Sequence, residues 1–191
     1  MVDSQDTREE ILRIARDLVR AGGPQALTFG AVAKRLGKSK QAVLYWFPAK
    51  DRLLSETLLP DLAAEAGAAR AALQGRHGGG AVRAFVEAVA GFHLENLDRF
   101  RLVYLAPRSG AERDGADGPG APEITRAVLD DLAACLDAPP DQARREAATI
   151  HAAVLGVILA CANAEAHGEA PPADPDDLVD ALARRLAGEG A

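Results

Sequence analysis

The chain has 191 residues, of which 48% are hydrophobic, 26% charged and only 4% aromatic. This suits one medium domain or a small domain joined to a larger one, and excludes disordered, collagen-like and coiled-coil classes. The net charge of -6 is unevenly spread: residues 1–50 carry +4, residues 51–191 carry -10, and all four lysines fall between Lys34 and Lys50.

A basic head on an acidic body is the charge distribution of a protein that meets nucleic acid at one end, and equally that of a solvated basic face. Alanine supplies 41 residues; it is the best helix former and a poor strand former, so an all-α fold is expected. Two cysteines, Cys135 and Cys161, are too few for a disulfide scaffold and form no Cys-x-x-Cys pattern. The opening MVDSQDTREEILRIARDLV is charged and has no apolar run of the secretory type, so a cytoplasmic location is expected.

Thr7-Arg8-Glu9-Glu10 reads as a capping box, with Thr7 at the N-cap. Ile11, Ile14, Ala15, Leu18 and Val19 then recur at helical spacing until Gly22-Gly23-Pro24 ends the pattern. Thr28 caps a second helix, FGAVAKRL, which Gly37 closes. Ser39 caps a third, KQAVLYWF, which Pro48 stops. Two helices of about eight residues around a turn opened by glycine form a helix-turn-helix. Its second helix carries Lys40, Gln41 and Tyr45.

The stretch Leu27-Thr28-Phe29, Val32-Ala33, Leu36-Gly37-Lys38-Ser39-Lys40, Tyr45-Trp46-Phe47-Pro48-Ala49-Lys50-Asp51 and Leu53-Leu54 resembles the DNA-binding head of the tetracycline-repressor (TetR) family. The match runs over roughly residues 7–54, and its Phe47-Pro48-x-Lys50 ending is more specific than a bare helix-turn-helix. The resemblance implies that Thr28 anchors a phosphate at a helix N-terminus, and that Ser39 and Lys40 meet phosphate and groove. It further implies that Tyr45 contacts the backbone or a thymine methyl and that Lys50 meets phosphate. Leu44, Trp46 and Lys38 depart from the family pattern. Leu44 reaches thymine methyls but cannot hydrogen-bond, so direct reading falls to Lys40 and Gln41. On the residues alone, Tyr45 and Trp46 either face DNA or pack against the first helix.

Residues 51–73 read as a connecting helix kinked or broken at Pro60. Residues 74–80 read as a flexible glycine-rich loop, 81–98 and 99–107 as helices, and 108–122 as a mobile loop. Helices are then expected over 123–137, 140–168 and 175–187. The uncharged run Ala147–Ala162 spans about 24 Å as a helix, short of a roughly 30 Å hydrocarbon core, so it reads as a buried helix rather than a membrane span. Ala148, Ala152, Gly156, Ala160 and Ala164 lie four apart and form a ridge of small residues. A helix apolar all round must be covered on every side, by its own subunit or by a second copy. The family's two-fold dimer, built from the last two long helices, implies the second.

No phosphate loop, Ser-His-Asp spacing, His-Glu-x-x-His motif or paired carboxylate site is present, and the expectation is no enzyme, no cofactor and no metal. His151, Cys161 and His167 on one helix make a weak ligand set. Phe85, Val89 and Phe92 lie on the apolar face of helix 81–98, and His93, Asn96, Tyr104, His151 and Asn163 interrupt apolar helices with polar groups. The family's internal pockets imply a small-molecule site among them; each is equally readable as a satisfied core polar residue. The expected protein is an all-helical homodimeric regulator, with a helix-turn-helix DNA-binding domain over 1–50 and a ligand-binding and dimerisation domain over 51–191. It acts as a repressor of a palindromic operator, released by a small-molecule effector, with no membrane partner. The alternative is a helical ligand-binding or enzymatic protein whose head no longer binds DNA.

Overall fold

The computed structural model describes residues 4–105 and 120–189. Among these residues there are nine α-helices, one π-helical turn and no strand. They form two compact units. One holds the described residues of Met1–Pro60 and Leu102–Ala121, the other those of Asp61–Arg101 and Pro122–Ala191.

In the first unit, α1 (Ser4–Ala26) begins three residues before Thr7, so Thr7 sits inside the helix and is not its N-cap. The preceding residues are already helical, and Asp6 places a negative charge in the first turn, where the helix dipole favours it. Gly22 and Gly23 leave the helical region, Gly23 with φ 70°, so the expected stop is real even though one more turn follows through Pro24. Helix α2 (Phe29–Leu36) starts where the Thr28 hydroxyl accepts from the Ala31 amide at 3.1 Å. It ends at Gly37, whose left-handed φ of 68° disfavours any residue bearing a Cβ. Two residues on, the Ser39 hydroxyl accepts from the Ala42 amide at 3.2 Å and opens α3 (Lys40–Trp46). Ile11, Ile14, Leu18, Leu27, Val32, Val43, Phe47, Leu53, Leu54 and Leu58 form the core of this unit.

Helix α4 (Lys50–Leu73) runs through Pro60 without a break. Proline removes one backbone hydrogen bond, yet the helix continues, and Leu58 and Leu62 on either side are buried. In the second unit, α5 spans Gly78–Leu94, α6 Leu97–Phe100, α7 Ala121–Ala134, α8 Pro140–His167 and α9 Pro175–Ala187. Arg101–Leu105 is a π-helical turn, so the described part of the helix expected over 99–107 is divided between α6 and this turn, and 106–107 lie outside the described residues. Most of the loop expected over 108–122 lies outside the described residues; its end, Ala121 and Pro122, already belongs to α7.

Of the loop expected over 74–80, residues 74–77 are turn and coil between α4 and α5, but the glycine run that follows is helical. Gly78–Gly80 form the first turn of α5, and the Gly78 amide donates to the Cys135 carbonyl at 2.8 Å. A Cβ on Gly79 would lie 2.5 Å from the Ala187 carbonyl oxygen at the end of α9. The glycines therefore serve close helix packing rather than flexibility. Arg83 reinforces the same pair of helices, reaching Glu87 on α5 and Asp180 on α9 at 3.1 Å each, and Glu189 beyond α9. Its hydrogen bond holds the Glu189 carboxyl below the usual carboxylate range. Helix α8 is 28 residues long and, by length and composition, apolar enough to cross a membrane; 39% of its most apolar window is buried within this chain.

Substituting Gly79 by Ala forces a carbonyl and a methyl group together and should lower stability by about 1–3 kcal/mol, roughly 2–4 °C of unfolding midpoint per kcal/mol. Gly80→Ala meets nothing within 4 Å and should raise the midpoint slightly through helix propensity. Circular dichroism melts of the two variants check both signs.

Candidate nucleic-acid interface and small-molecule site

Thr28, Lys38, Ser39, Lys40, Gln41, Tyr45 and Lys50 are all exposed, and Leu44 is half-buried. Tyr45 is 79% exposed, unusual for a large aromatic, whereas Trp46 beside it packs against the core of the first unit. The two rings meet edge to face at 5.3 Å. Of the two aromatics with an open reading, Tyr45 faces outward and Trp46 inward. The reason is positional: Trp46 follows Val43 by three residues and shares its buried face, while Tyr45 shares the face of Gln41.

Behind this surface, the Glu56 carboxylate on α4 is almost fully buried and meets two guanidinium groups. Arg8 of α1 pairs with one oxygen and Arg52 Nε donates to the other at 3.0 Å. The Arg8 guanidinium also lies 5.4 Å from the Phe47 ring centroid. The Arg8–Glu56 pair ties α1 to α4 across a separation that no local spacing announces, whereas Arg52–Glu56 is an i,i+4 pair within α4.

In the second unit, Phe85 and His93 are fully buried, Val89 and His151 nearly so, and Phe92 is half-buried. Two of them, His93 and His151, flank a carboxylate that sequence reasoning missed. Glu65 on α4 is 4% exposed. Its Oε2 lies 3.1 Å from His93 Nε2 on α5, and its Oε1 lies 3.6 Å from His151 Nε2 on α8. Phe85 meets the His151 ring edge-on at 6.1 Å, and His93 lies between Phe92 at 5.1 Å and Phe100 at 5.4 Å. The available signal was the row Leu62, Glu65, Ala66, Ala69, Leu73, which sets a carboxylate on an apolar face.

One candidate has a local role. Asn96 is exposed, and its side-chain oxygen accepts from the Arg99 amide at 2.9 Å as the N-cap of α6. The continuous helix expected over 81–98 gives way there, so the polar group is used locally. Tyr104 belongs to the first unit. On α8, Ala148, Ala152 and Gly156 are exposed and Ala160 half-buried, while Ile150, Val154 and Ile158 face inward. Burial pushes the Cys161 thiol up, which keeps it protonated and poorly nucleophilic. Among the described residues, no group of three or more His, Cys, Asp or Glu is arranged to hold a metal ion.

Residues 11–57 match the bacterial regulatory proteins of the tetR family, and residues 82–186 match the tetracyclin repressor-like C-terminal domain. The fold is similar to that of TetR from Acinetobacter baumannii AYE, with TM-score 0.66 and 17% identity over 98% of this chain and 96% of that one. A transcriptional regulator of the TetR/AcrR family from Thermobifida fusca YX-ER1 gives TM-score 0.62 and 21% identity over 97% and 99%. A regulatory protein of the tetR family from Rhodococcus RHA1 gives 0.63 and 18% over 96% of each chain. No curated protein matches the chain. The chain belongs to the TetR family and is a DNA-binding transcriptional regulator. Proteins of this family bind operator DNA as dimers, take small-molecule effectors and are generally not enzymes.

Replacing Glu65 by Ala leaves two buried imidazoles facing a void and should lower stability by about 3 kcal/mol. Glu65→Gln keeps the volume and one acceptor and should lose about 1 kcal/mol. Chemical denaturation of both variants checks the order; equal midpoints for Glu65→Ala and the parent would exclude a structural role for the cluster.

Proposed function

We propose that the protein is a cytoplasmic, homodimeric, one-component repressor, with residues 1–50 as its DNA-binding domain and residues 51–191 as its ligand-binding and dimerisation domain. The exposed row Lys40, Gln41 and Tyr45 on α3 carries this reading. Lys40 and Gln41 read base edges in the major groove, and Leu44 contributes apolar contact. Thr28, Lys38, Ser39 and Lys50 meet phosphates, and Tyr45 meets the backbone or a thymine methyl. An effector bound among Phe85, Val89, Phe92, His93 and His151 shifts α4 and with it the spacing of the two heads. Its differential affinity for the two spacings sets the switch.

One helix-turn-helix reads only a few base pairs, so two copies about 34 Å apart on a palindromic site supply useful specificity. The small-residue row on α8, exposed at Ala148, Ala152 and Gly156 and half-buried at Ala160, supports a two-fold interface shared with α9.

Operator binding should weaken steeply with salt, with each lost phosphate contact reducing the log–log slope by about one. Lys50→Ala should weaken all sequences alike and lower that slope, whereas Gln41→Ala should change the preference between sequences. Fluorescence anisotropy at several salt concentrations separates the two effects; no retention of any fragment from beside the encoding gene at low salt would refute the assignment.

Gly156→Arg puts a charged side chain where nothing now lies within 4 Å. If a second copy covers this row, the variant should be monomeric by light scattering and lose operator affinity while its head stays folded. An unchanged dimer would move the interface elsewhere.

A further inference from the structure

Arg99 lies on α6, Leu97–Phe100. Its guanidinium carbon lies 3.8 Å from the centroid of the Phe92 ring. Its Nε and Nη2 are buried and have no hydrogen-bond acceptor among the described residues. These two nitrogens form one edge of the planar group, the side-on fork that matches the two oxygens of a carboxylate.

The neighbouring acids do not fill that fork. Asp98 and Glu165 are each 2.8 Å from Arg101, two residues further on. Lysine or histidine in such a place would shed its charge, but arginine stays protonated in proteins. Arg99 as a whole is half-buried, but a guanidinium edge taken out of water with no counter-charge among the described residues gains when an anion arrives. The fork is also held ready: the Arg99 amide is fixed by the Asn96 cap at 2.9 Å and its guanidinium by the Phe92 ring. Preorganisation of this kind reduces the ordering cost of binding.

Resting on the ligand-responsive reading above, we propose that Arg99 anchors the carboxylate of an otherwise apolar effector, which lies against Phe92 and the His93–Phe100 aromatic cluster. One guanidinium edge balances one negative charge. A phosphate dianion calls for a second cation, and Arg101 is already committed. The Glu65 carboxyl already occupies the facing His93 and His151 nitrogens, so the head group sits at Arg99 and the apolar body extends away from it. Because the fork is covered, the effector enters by parting that cover, and the bound state differs in conformation from the free one.

The test uses the full-length protein with octanoate, its uncharged counterpart octanamide, and octyl phosphate as the alternative anion. Millimolar octanoate should raise the unfolding midpoint by about 4 °C, and octanamide by about 1 °C or less. Arg99→Met retains the apolar contact with Phe92 without the charge. This variant should lose the octanoate shift, yet unfold without probe at the same temperature as the parent or higher. Arg99→Lys keeps the charge without the fork and should retain at most part of the shift. Operator binding without probe should be the same in all three proteins. A parent that holds no DNA defeats the repressor reading, while the thermal shifts still decide the role of Arg99. Four results would overturn the proposal: no octanoate shift in the parent, equal shifts with octanoate and octanamide, a larger shift with octyl phosphate, or a fall of several degrees in probe-free Arg99→Met.

Discussion

Taking a carboxylate out of water is costly unless cations or donors meet it, and α4 takes two of them inward. Glu56 is 7% exposed and Glu65 4%. The first recruits Arg8 and Arg52, the second His93 and His151. The apolar row of the same helix, Leu53, Leu54, Leu58, Leu62, Ala66, Ala69 and Leu73, buries area without direction. A helix held by that row alone could slide or rotate by a fraction of a turn at little cost. The carboxylates remove this freedom, because each must stay within a few ångströms of specific nitrogens on other helices. In the first unit that fixes α1 against α4. In the second it fixes α4, α5 and α8 around one point.

Rigidity of this kind is what a base-reading surface needs, since a recognition helix displaced by an ångström loses its hydrogen bonds. The head achieves it with few residues. Val32, Val43 and Phe47 face one side of the helix pair and are buried, while Lys40, Gln41 and Tyr45 face the other and are exposed. Side chains at Thr28 and Ser39 cap the two helices, so the same residues that start each helix stand at the edge of the exposed face. Local capping and surface chemistry are therefore one feature of the sequence.

This explains which parts were legible. Caps, glycine stops and apolar periodicity are local, and Thr28, Gly37, Ser39, Pro140 and Pro175 mark helix limits that the structure reproduces. Thr7 misled because a capping box is also compatible with mid-helix placement once upstream residues turn helical. Gly78–Gly80 misled because a glycine run means either freedom or close approach, and only the position of Ala187 decides between them. Asn96 reads in the sequence as a polar group on a helix face, whereas it caps the next helix. Glu65 shows in the sequence only as a carboxylate on an apolar row, because its partners lie more than twenty residues away. Arg99 leaves no spacing at all, because two of its nitrogens have no acceptor among the described residues.

The energies of these groups bear on how such a protein switches. Moving a two-state equilibrium from one extreme to the other takes about 5.5 kcal/mol of differential binding. Apolar contact alone spreads that sum thinly, because both states of a helical bundle offer similar apolar surface. Buried charge does not average in this way. Removing one partner of a buried pair costs about 3–5 kcal/mol, so supplying a missing partner in one conformation only is worth a comparable amount. The buried acids of α4 are matched in the present conformation by Arg8, Arg52, His93 and His151. They resist any rearrangement that separates them, and a ligand that favours another arrangement must offer a charge pairing strong enough to compete.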